Sequence, residues 1–387
     1  MHRARSDATV SAALIAVLAG CGGADPASEP APPPAIAAAA DTAAAEPSVY
    51  ELVEIAPRVY ATVVRAGVNP SQWATSLIVV RRDHVLVVDT RQHASAANEL
   101  LETVRGVSDL PVRYVVNTHW HGDHVQGNEA FRARHPDVRI IGGATTAEDM
   151  RTLGRRRLDE DIARVEGRIT AARGRLERGE GEDGTPLTEE EKAELPARIE
   201  AAEAYVAARR ELVLVPPDLA VDSVLSLTDG EPRVDILRVG PAHTRGDVVV
   251  LLPGLRIAAI GDLIEDGFPW FGDGYPAAWA DALDRIGALG FDAYLPGHGP
   301  VLRDREMFNI QRRFARAVAD EARRAVDAGL DLEAARAGAD FSEFEDHFTR
   351  NLSDRAPEER RDRFAAFLDE TFARAFAEAA GEVSTTS

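Results

Sequence analysis

Thr118-His119-Trp120-His121-Gly122-Asp123-His124, with Gly127 and Asn128 just after it, is the stretch on which the reading of this chain turns. Three imidazoles and a carboxylate fall within six residues, and these are the side chains that first-row metal ions take as ligands. The run before them, Arg113-Tyr114-Val115-Val116-Asn117, is short, β-branched and apolar, which predicts a buried strand ending where the histidines begin. Histidines also cap helices and fill cores. Four ligand-type side chains packed this tightly, on a loop at the C-terminal end of a strand, point instead to a metal site.

Working outward, further ligand-type residues each follow a short apolar run. Asp89 closes Val85-Leu86-Val87-Val88, and His243 comes after Ile236-Leu237-Arg238-Val239-Gly240. Asp262 follows Ile257-Ala258-Ala259-Ile260-Gly261, and His298 sits in Leu295-Pro296-Gly297-His298-Gly299-Pro300. Such positions suit a site built along one edge of a sheet. Together these motifs resemble, in order, those of the metallo-β-lactamase superfamily, whose signature is His-x-His-x-Asp-His. The resemblance covers about residues 50 to 305 and is interrupted by one long insertion.

The resemblance implies an α/β fold, a four-layer αββα sandwich, here with an inserted helical hairpin and a helical C-terminal tail. It is nearest to the glyoxalase II-like binuclear branch. On that pattern His119, His121 and His243 hold one metal, Asp123, His124 and His298 hold a second, and Asp262 bridges them. Asp89 would orient a ligand histidine. The cofactors implied are two divalent ions, Zn2+ first, with Fe or Mn as alternatives. A hydroxide held between two cations would attack an ester, thioester, lactone or lactam of a small molecule, and Asp123 would also move a proton. An iron-dependent sulfur dioxygenase-like oxidoreductase of the same fold is the alternative activity. A non-catalytic, metal-stabilised binding scaffold is the alternative from another class, though a structural zinc needs only four ligands.

Departures from the family pattern narrow the substrate. Because Cys21 is the only cysteine, no thiolate is available to the site, which excludes the cysteine-containing β-lactamase centres of the family. Trp120 stands where flavodiiron relatives carry a glutamate. His243-Thr244-Arg245-Gly246-Asp247 lacks the final histidine of glyoxalase II. The long string from His119 to Asn128 looks closest to that of exported hydrolases of the family.

The net charge of −20 argues against nucleic acid as a partner. Arg3 and Arg5, an apolar run from Ala8 to Ala19, and Leu18-Ala19-Gly20-Cys21 make an export signal over residues 1–20. Its ending resembles a bacterial lipobox, in which Cys21 is acylated and anchors the protein to a membrane facing the periplasm. Residues 21–48 are Ala- and Pro-rich and read as a tether.

The catalytic domain is expected over residues 49–303. Strands are predicted at 49–53, 59–65, 76–80, 85–89, 113–117, 138–141, 212–215, 222–227, 233–239, 247–252 and 256–260, with helices at 95–105, 129–134 and 277–289. His84 reads as a solvated turn residue and His93 as a loop residue. Within 145–213, Leu158, Ile162, Val165, Ile169 and Ala172 recur at helical spacing, as do Leu195, Ile199, Ala202 and Tyr205 after a Gly-rich break. Thr188 with Glu191 forms a capping box. An antiparallel helical hairpin follows, serving as a lid over the site or as a homodimer contact. Phe268, Trp270, Phe271 and Tyr275 form an aromatic loop that either walls the substrate, with Trp120, or packs on the sheet. Arg245 and Arg91 are the nearest cations for an anionic substrate. Residues 304–387 read as helical, with His347 structural.

Overall fold

The computed structural model describes residues 48–65, 68, 73–181 and 184–383. The signal, Cys21 and residues 21–47 of the tether lie outside the described residues. Seven strands form the first sheet in chain order: β1 (Tyr50–Ala56), β2 (Val59–Val64), β3 (Ser76–Val80), β4 (Val85–Val88), β5 (Val112–Val116), β6 (Arg139–Gly143) and β7 (Leu219–Val221). The second sheet holds β8 (Val224–Leu227), β9 (Val234–Arg238), β10 (Val248–Leu252), β11 (Ile257–Glu265) and β12 (Ala293–His298), ordered β12-β11-β10-β9-β8. Strands β4 to β7 run parallel to one another, as do β11 and β12.

Alternation along the strands sorts the apolar runs onto two faces. Leu77, Val79, Leu86, Val88, Val116 and Ile141 meet Val248, Val250, Ile257, Ala259 and Leu295 between the sheets. Their sequence neighbours Ile78, Val80, Val85, Val87, Val115 and Ile140 face outward onto α1 (Ala94–Val107) and Phe131 of a later helix. Outside the second sheet, Val249, Ala258, Ile260 and Tyr294 are covered by helices that follow β11. The result is the four-layer αββα sandwich, helices outside and two sheets within.

After β5 the chain makes α2 (Gly122–Val125) and α3 (Asn128–Arg134) before β6. The insertion then begins with α4 (Thr146–Asp149), passes through one π turn at Met150–Gly154, and continues as α5 (Arg155–Arg178) and α6 (Glu189–Glu211). Leu158, Ile162, Val165 and Ile169 pack against Leu195, Ile199, Ala202 and Tyr205, and the Thr188–Glu191 capping box forms. Pro196 lies inside α6 without ending it. Both ends of the hairpin are anchored. Asp149 pairs with Arg245, and Arg209 donates to the backbone oxygen of Gln92 and to Gln126 Oε1.

Two strand expectations are corrected. Residues 212–217 are unpaired; instead Val213 N–H donates to Glu129 Oε2 at 3.2 Å, and Val215 O accepts from Asn128 Nδ2 at 2.9 Å. Side chains from α3 take the backbone groups that a ladder would have satisfied. The strand expected over 222–227 begins only at Val224, because the chain crosses from β7 in one sheet to β8 in the other at Asp222-Ser223, and β7 itself was not expected.

The second sheet's outer layer comprises α7 (Pro276–Gly287), α8 (Glu306–Asp327), α9 (Leu332–Gly338), α10 (Glu345–Phe348) and α11 (Pro357–Ala379). Phe308, Phe314, Phe348 and Phe372 join Trp279 and Leu283 in one cluster, so the tail is part of the fourth layer. No described helix is long and apolar enough to cross a membrane.

Close backbone approach joins the insertion's root to the His243 loop. A Cβ at Gly143 would lie 1.9 Å from Gly246 O, whereas one at Gly167, exposed in mid-α5, meets nothing within 4 Å. Gly143→Ala is therefore expected to destabilise by about 2–4 kcal/mol, and Gly167→Ala to stabilise by about 0.5–1 kcal/mol. Urea unfolding of the two variants beside the parent checks both signs.

Candidate metal centre

The chain brings all seven candidate ligands to one edge of the two sheets. His119 and His121 lie on the loop after β5, Asp123 and His124 on α2, His243 on the β9–β10 loop, and His298 at the end of β12. Asp262 lies within β11, which runs on to Glu265, rather than just past a strand end. Gly261, at φ +64 and with its Cβ position 2.9 Å from Thr118, lets β11 pass close under the histidine loop. His119, His121, His243 and Asp262 form one group with ligand atoms within 4.8 Å of one another, and Asp123, His124 and His298 form a second. Asp262 joins the two. Its carboxylate lies 3.5 Å from His119 Nε2, 3.1 Å from His124 Nε2, and 3.6 Å from both His243 Nε2 and His298 Nε2.

Hydrogen bonds on the outer side of the rings assign their inner nitrogens. Asp89, at φ 60, accepts from Thr118 N–H and Oγ1–H at 2.8 Å each and from His124 Nδ1–H at 2.7 Å. The hydroxyl proton of Thr118 being directed to Asp89, its oxygen is left to accept from His119 Nδ1–H at 3.0 Å. Asp273 accepts from His121 Nε2–H at 2.9 Å. The inner atoms are then His119 Nε2, His124 Nε2 and His121 Nδ1, the last 2.9 Å from His243 Nε2. His119 Nε2 and His124 Nε2 are buried without a well-directed hydrogen bond among the described residues. Buried lone pairs converging on one another and on carboxylates fit a cation between them.

The protonation pattern agrees. Burial holds the His119 imidazole well below its ordinary pKa and that of His243 down at about 3, the neutral state that ligation needs. At His124 and His298 burial acts the same way, but Asp262 and Asp123 outweigh it and hold both well above the usual value. The carboxylates thus favour positive charge at these two rings, as a cation bound between them would supply.

Three neighbours of the centre escape a sequence reading. Glu265 forms a third potential ligand group with Asp262 and His298, and burial followed by the charge of Asp262 pushes its carboxyl up to about 8. In a regular strand residues three apart face opposite ways, but the β11–β12 register shifts between Gly261 and Glu265 and brings them together. Asp273 comes from the aromatic loop, far in sequence from His121. Arg157, from the insertion, lies 2.8 Å from the same Asp273 oxygen.

Several expectations are corrected. Arg245 is turned away onto Asp149, and Arg91 is buried over the Tyr50 ring at 3.5 Å, so neither faces the centre. Trp120 is 2% exposed, packed with Val125 and Met150, and cannot offer a face to substrate. The aromatic loop divides: Phe268 and Phe271 pack on the tail helices, while the Trp270 ring lies 5.3 Å from His121. His84 is buried rather than solvated, its Nε2 facing Arg81 and its Nδ1 facing Asp83. His93 is the N-cap of α1, accepting from Ala96 N–H at 3.1 Å. His347 contacts Arg350 and the Phe348 ring, a structural placement.

Residues 73–298 match the family model of the metallo-beta-lactamase superfamily. A linear primary-alkylsulfatase of a Pseudomonas strain is 26% identical over 60% of this chain and 42% of its own length. The atrochrysone carboxyl ACP thioesterase AgnL7 of Paecilomyces divaricatus is 30% identical over 24% of this chain and 30% of its own. The chain thus spans less than half the length of either relative. Among solved structures, a metallo-beta-lactamase from Pontibacter korlensis is 19% identical with a TM-score of 0.47, covering 69% of this chain and 99% of its own. The mono-zinc form of FIM-1 from Pseudomonas aeruginosa is 20% identical with a TM-score of 0.46, covering 70% and 96%.

The His93 cap generates a pH prediction. Burial, then the charges of Arg209 and Arg91, lowers the His93 imidazole to about 4 in the fold. Its unfolded value is about 6.5. A depressed base contributes stability that is full above the unfolded value and is lost as pH falls from about 6.5 to about 4. His93→Asn keeps an uncharged cap, so urea unfolding from pH 7 to pH 4.5 should show a loss smaller than the parent's by on the order of 1 kcal/mol.

Proposed function

The chain belongs to the metallo-β-lactamase superfamily, and on that premise we propose that it is a hydrolase. It binds two divalent ions, zinc first, and cleaves a carboxylic ester or thioester of a small molecule, lactones and lactams being related substrates. The observation that carries this reading is the convergence of buried, outwardly hydrogen-bonded imidazoles on one carboxylate, Asp262, which belongs to the first ligand group and lies 3.1 Å from His124 and 3.6 Å from His298 of the second. A closed structural zinc site needs four ligands, fewer than gather here. His119, His121 and His243 hold one ion, Asp123, His124 and His298 the second, and Asp262 stands between. The names of the curated relatives, an alkylsulfatase and thioesterases, also point to ester-type bonds.

Divalent ions in this place supply Lewis acidity and lower the pKa of a coordinated water toward neutrality. This chain's residues do the rest. Asp89 and Asp273 hold the His124 and His121 rings in one tautomer each. Asp123 is the more open of the ligand carboxylates, its side chain 31% exposed against 6% for Asp262, which suits it to pass a proton toward solvent. Trp270 forms one wall above His121.

Protein purified without added metal is expected to carry two equivalents of zinc, to lose ester or thioester hydrolysis on chelation, and to regain it with Zn2+. Asp89→Asn should weaken metal binding by roughly 10–100-fold. A panel of carboxylic ester, thioester, lactone, lactam and sulfate ester substrates reads the activity. No turnover across the panel, or iron in place of zinc, overturns the reading. One equivalent of metal together with an active Asp262→Ala removes the second ion.

The Leu18-Ala19-Gly20-Cys21 ending supports export and lipid anchoring facing the periplasm. Cys21→Ser should move the protein from the membrane to the soluble fraction on fractionation, and unchanged membrane association counts against anchoring.

A further inference from the structure

Arg157 is placed by three features of the insertion. The π turn Met150–Gly154 resets the helical register just before it. Met150 and Leu153 pack against Trp120 and Val125, and the Cβ position of Gly154 is 3.6 Å from the Trp120 ring, so the start of α5 lies directly on the histidine loop. The guanidinium then lies 4.3 Å from the Trp270 ring centroid and 5.1 Å from that of Trp120. Both indoles contact His121, at 5.3 and 4.6 Å.

One Nη lies 2.8 Å from Asp273 Oδ2, the oxygen that accepts from His121, so a single carboxylate separates this cation from a ligand histidine. The side chain remains 35% exposed, and the negative charge of Asp123 reaches it. Two aromatic rings fix the plane of a guanidinium, and one carboxylate oxygen engages only part of its five donors. Neutralising Asp273 alone would require neither the aromatic clamp nor an open edge. In a chain of net charge −20, anions are not drawn to the surface in general. A fixed cation beside the partner of His121 is a local exception.

We propose that Arg157 is a specificity-determining residue that binds an anionic oxygen group on the part of the substrate that is not attacked, so that the preferred substrates are negatively charged esters or thioesters. The proposal rests on the hydrolase reading for its reaction and on Arg157 for its anion. Carboxylate, sulfate and phosphate share the required chemistry.

The test uses zinc-loaded protein and a substrate pair, neutral 4-nitrophenyl butyrate and anionic mono-4-nitrophenyl glutarate. In Arg157→Gln the preference for the anionic ester, as a ratio of kcat/KM values, should fall roughly tenfold or more, chiefly through KM, with zinc content unchanged. Arg157→Lys should recover part of the preference. Tryptophan fluorescence gives a binding readout independent of turnover, because Trp120 and Trp270 flank the guanidinium. Titration with glutarate, sulfate and phosphate should be weakened by Arg157→Gln, and the anion most affected identifies the source. An unchanged ester ratio and unchanged anion binding overturn the anion site while leaving the hydrolase reading standing. Loss of zinc in Arg157→Gln overturns it in favour of a structural role through Asp273. Arg157-dependent binding of glutarate without hydrolysis of either ester supports the anion site while counting against the hydrolase. If Arg157→Gln fails to fold, Arg157→Met decides: lost anionic preference and weakened anion binding with zinc retained support the proposal, and parent-like preference and anion affinity overturn it.

Discussion

Buried imidazole nitrogens with their lone pairs turned inward cannot be held by packing alone, since each ring can rotate to satisfy itself elsewhere. Here the outer nitrogens are held instead. Asp89 receives His124, the Thr118 hydroxyl receives His119 because Asp89 has taken its proton, and Asp273 receives His121. An unsatisfied buried polar atom costs about 1–3 kcal/mol, so the centre carries a standing preference for a cation. The strands that end beneath these residues, and the left-handed backbone at Asp89, exist in a form that serves this network.

Much of that was legible in the sequence because it is local. A three-histidine cluster after a β-branched run, and single Asp or His residues after other apolar runs, require only period-two alternation and the rule that sites gather at strand ends. What escaped was geometric. Glu265 joins Asp262 only through a shift in strand register, and Arg157 reaches Asp273 only after a π turn, neither of which leaves a mark in hydrophobic spacing. Asp273 was hidden among glycines and aromatics, its partner being on another sheet's loop. In the other direction, nearness in sequence misled: Arg245 and Arg91 follow motif residues closely, yet Asp149 and Tyr50 draw them away from the centre.

The elements added to the sandwich converge on one loop. From the tail, Gln311 binds the backbone of Glu265, Arg350 pairs with Asp266, and Arg374 donates to Gly274 O at 2.7 Å. From the insertion, Arg157 reaches Asp273 between those anchors. The segment carrying Trp270 and Asp273 is thus held on one side by the fourth layer and on the other by the hairpin. The sheets position the ligands, whereas these two additions set the wall and the charge beside them. Because Asp273 touches both Arg157 and His121, a change in the hairpin is transmitted to a ligand ring through a single carboxylate. The insertion and a ligand ring are therefore joined through one side chain, which ties the position of the hairpin to the geometry of the centre.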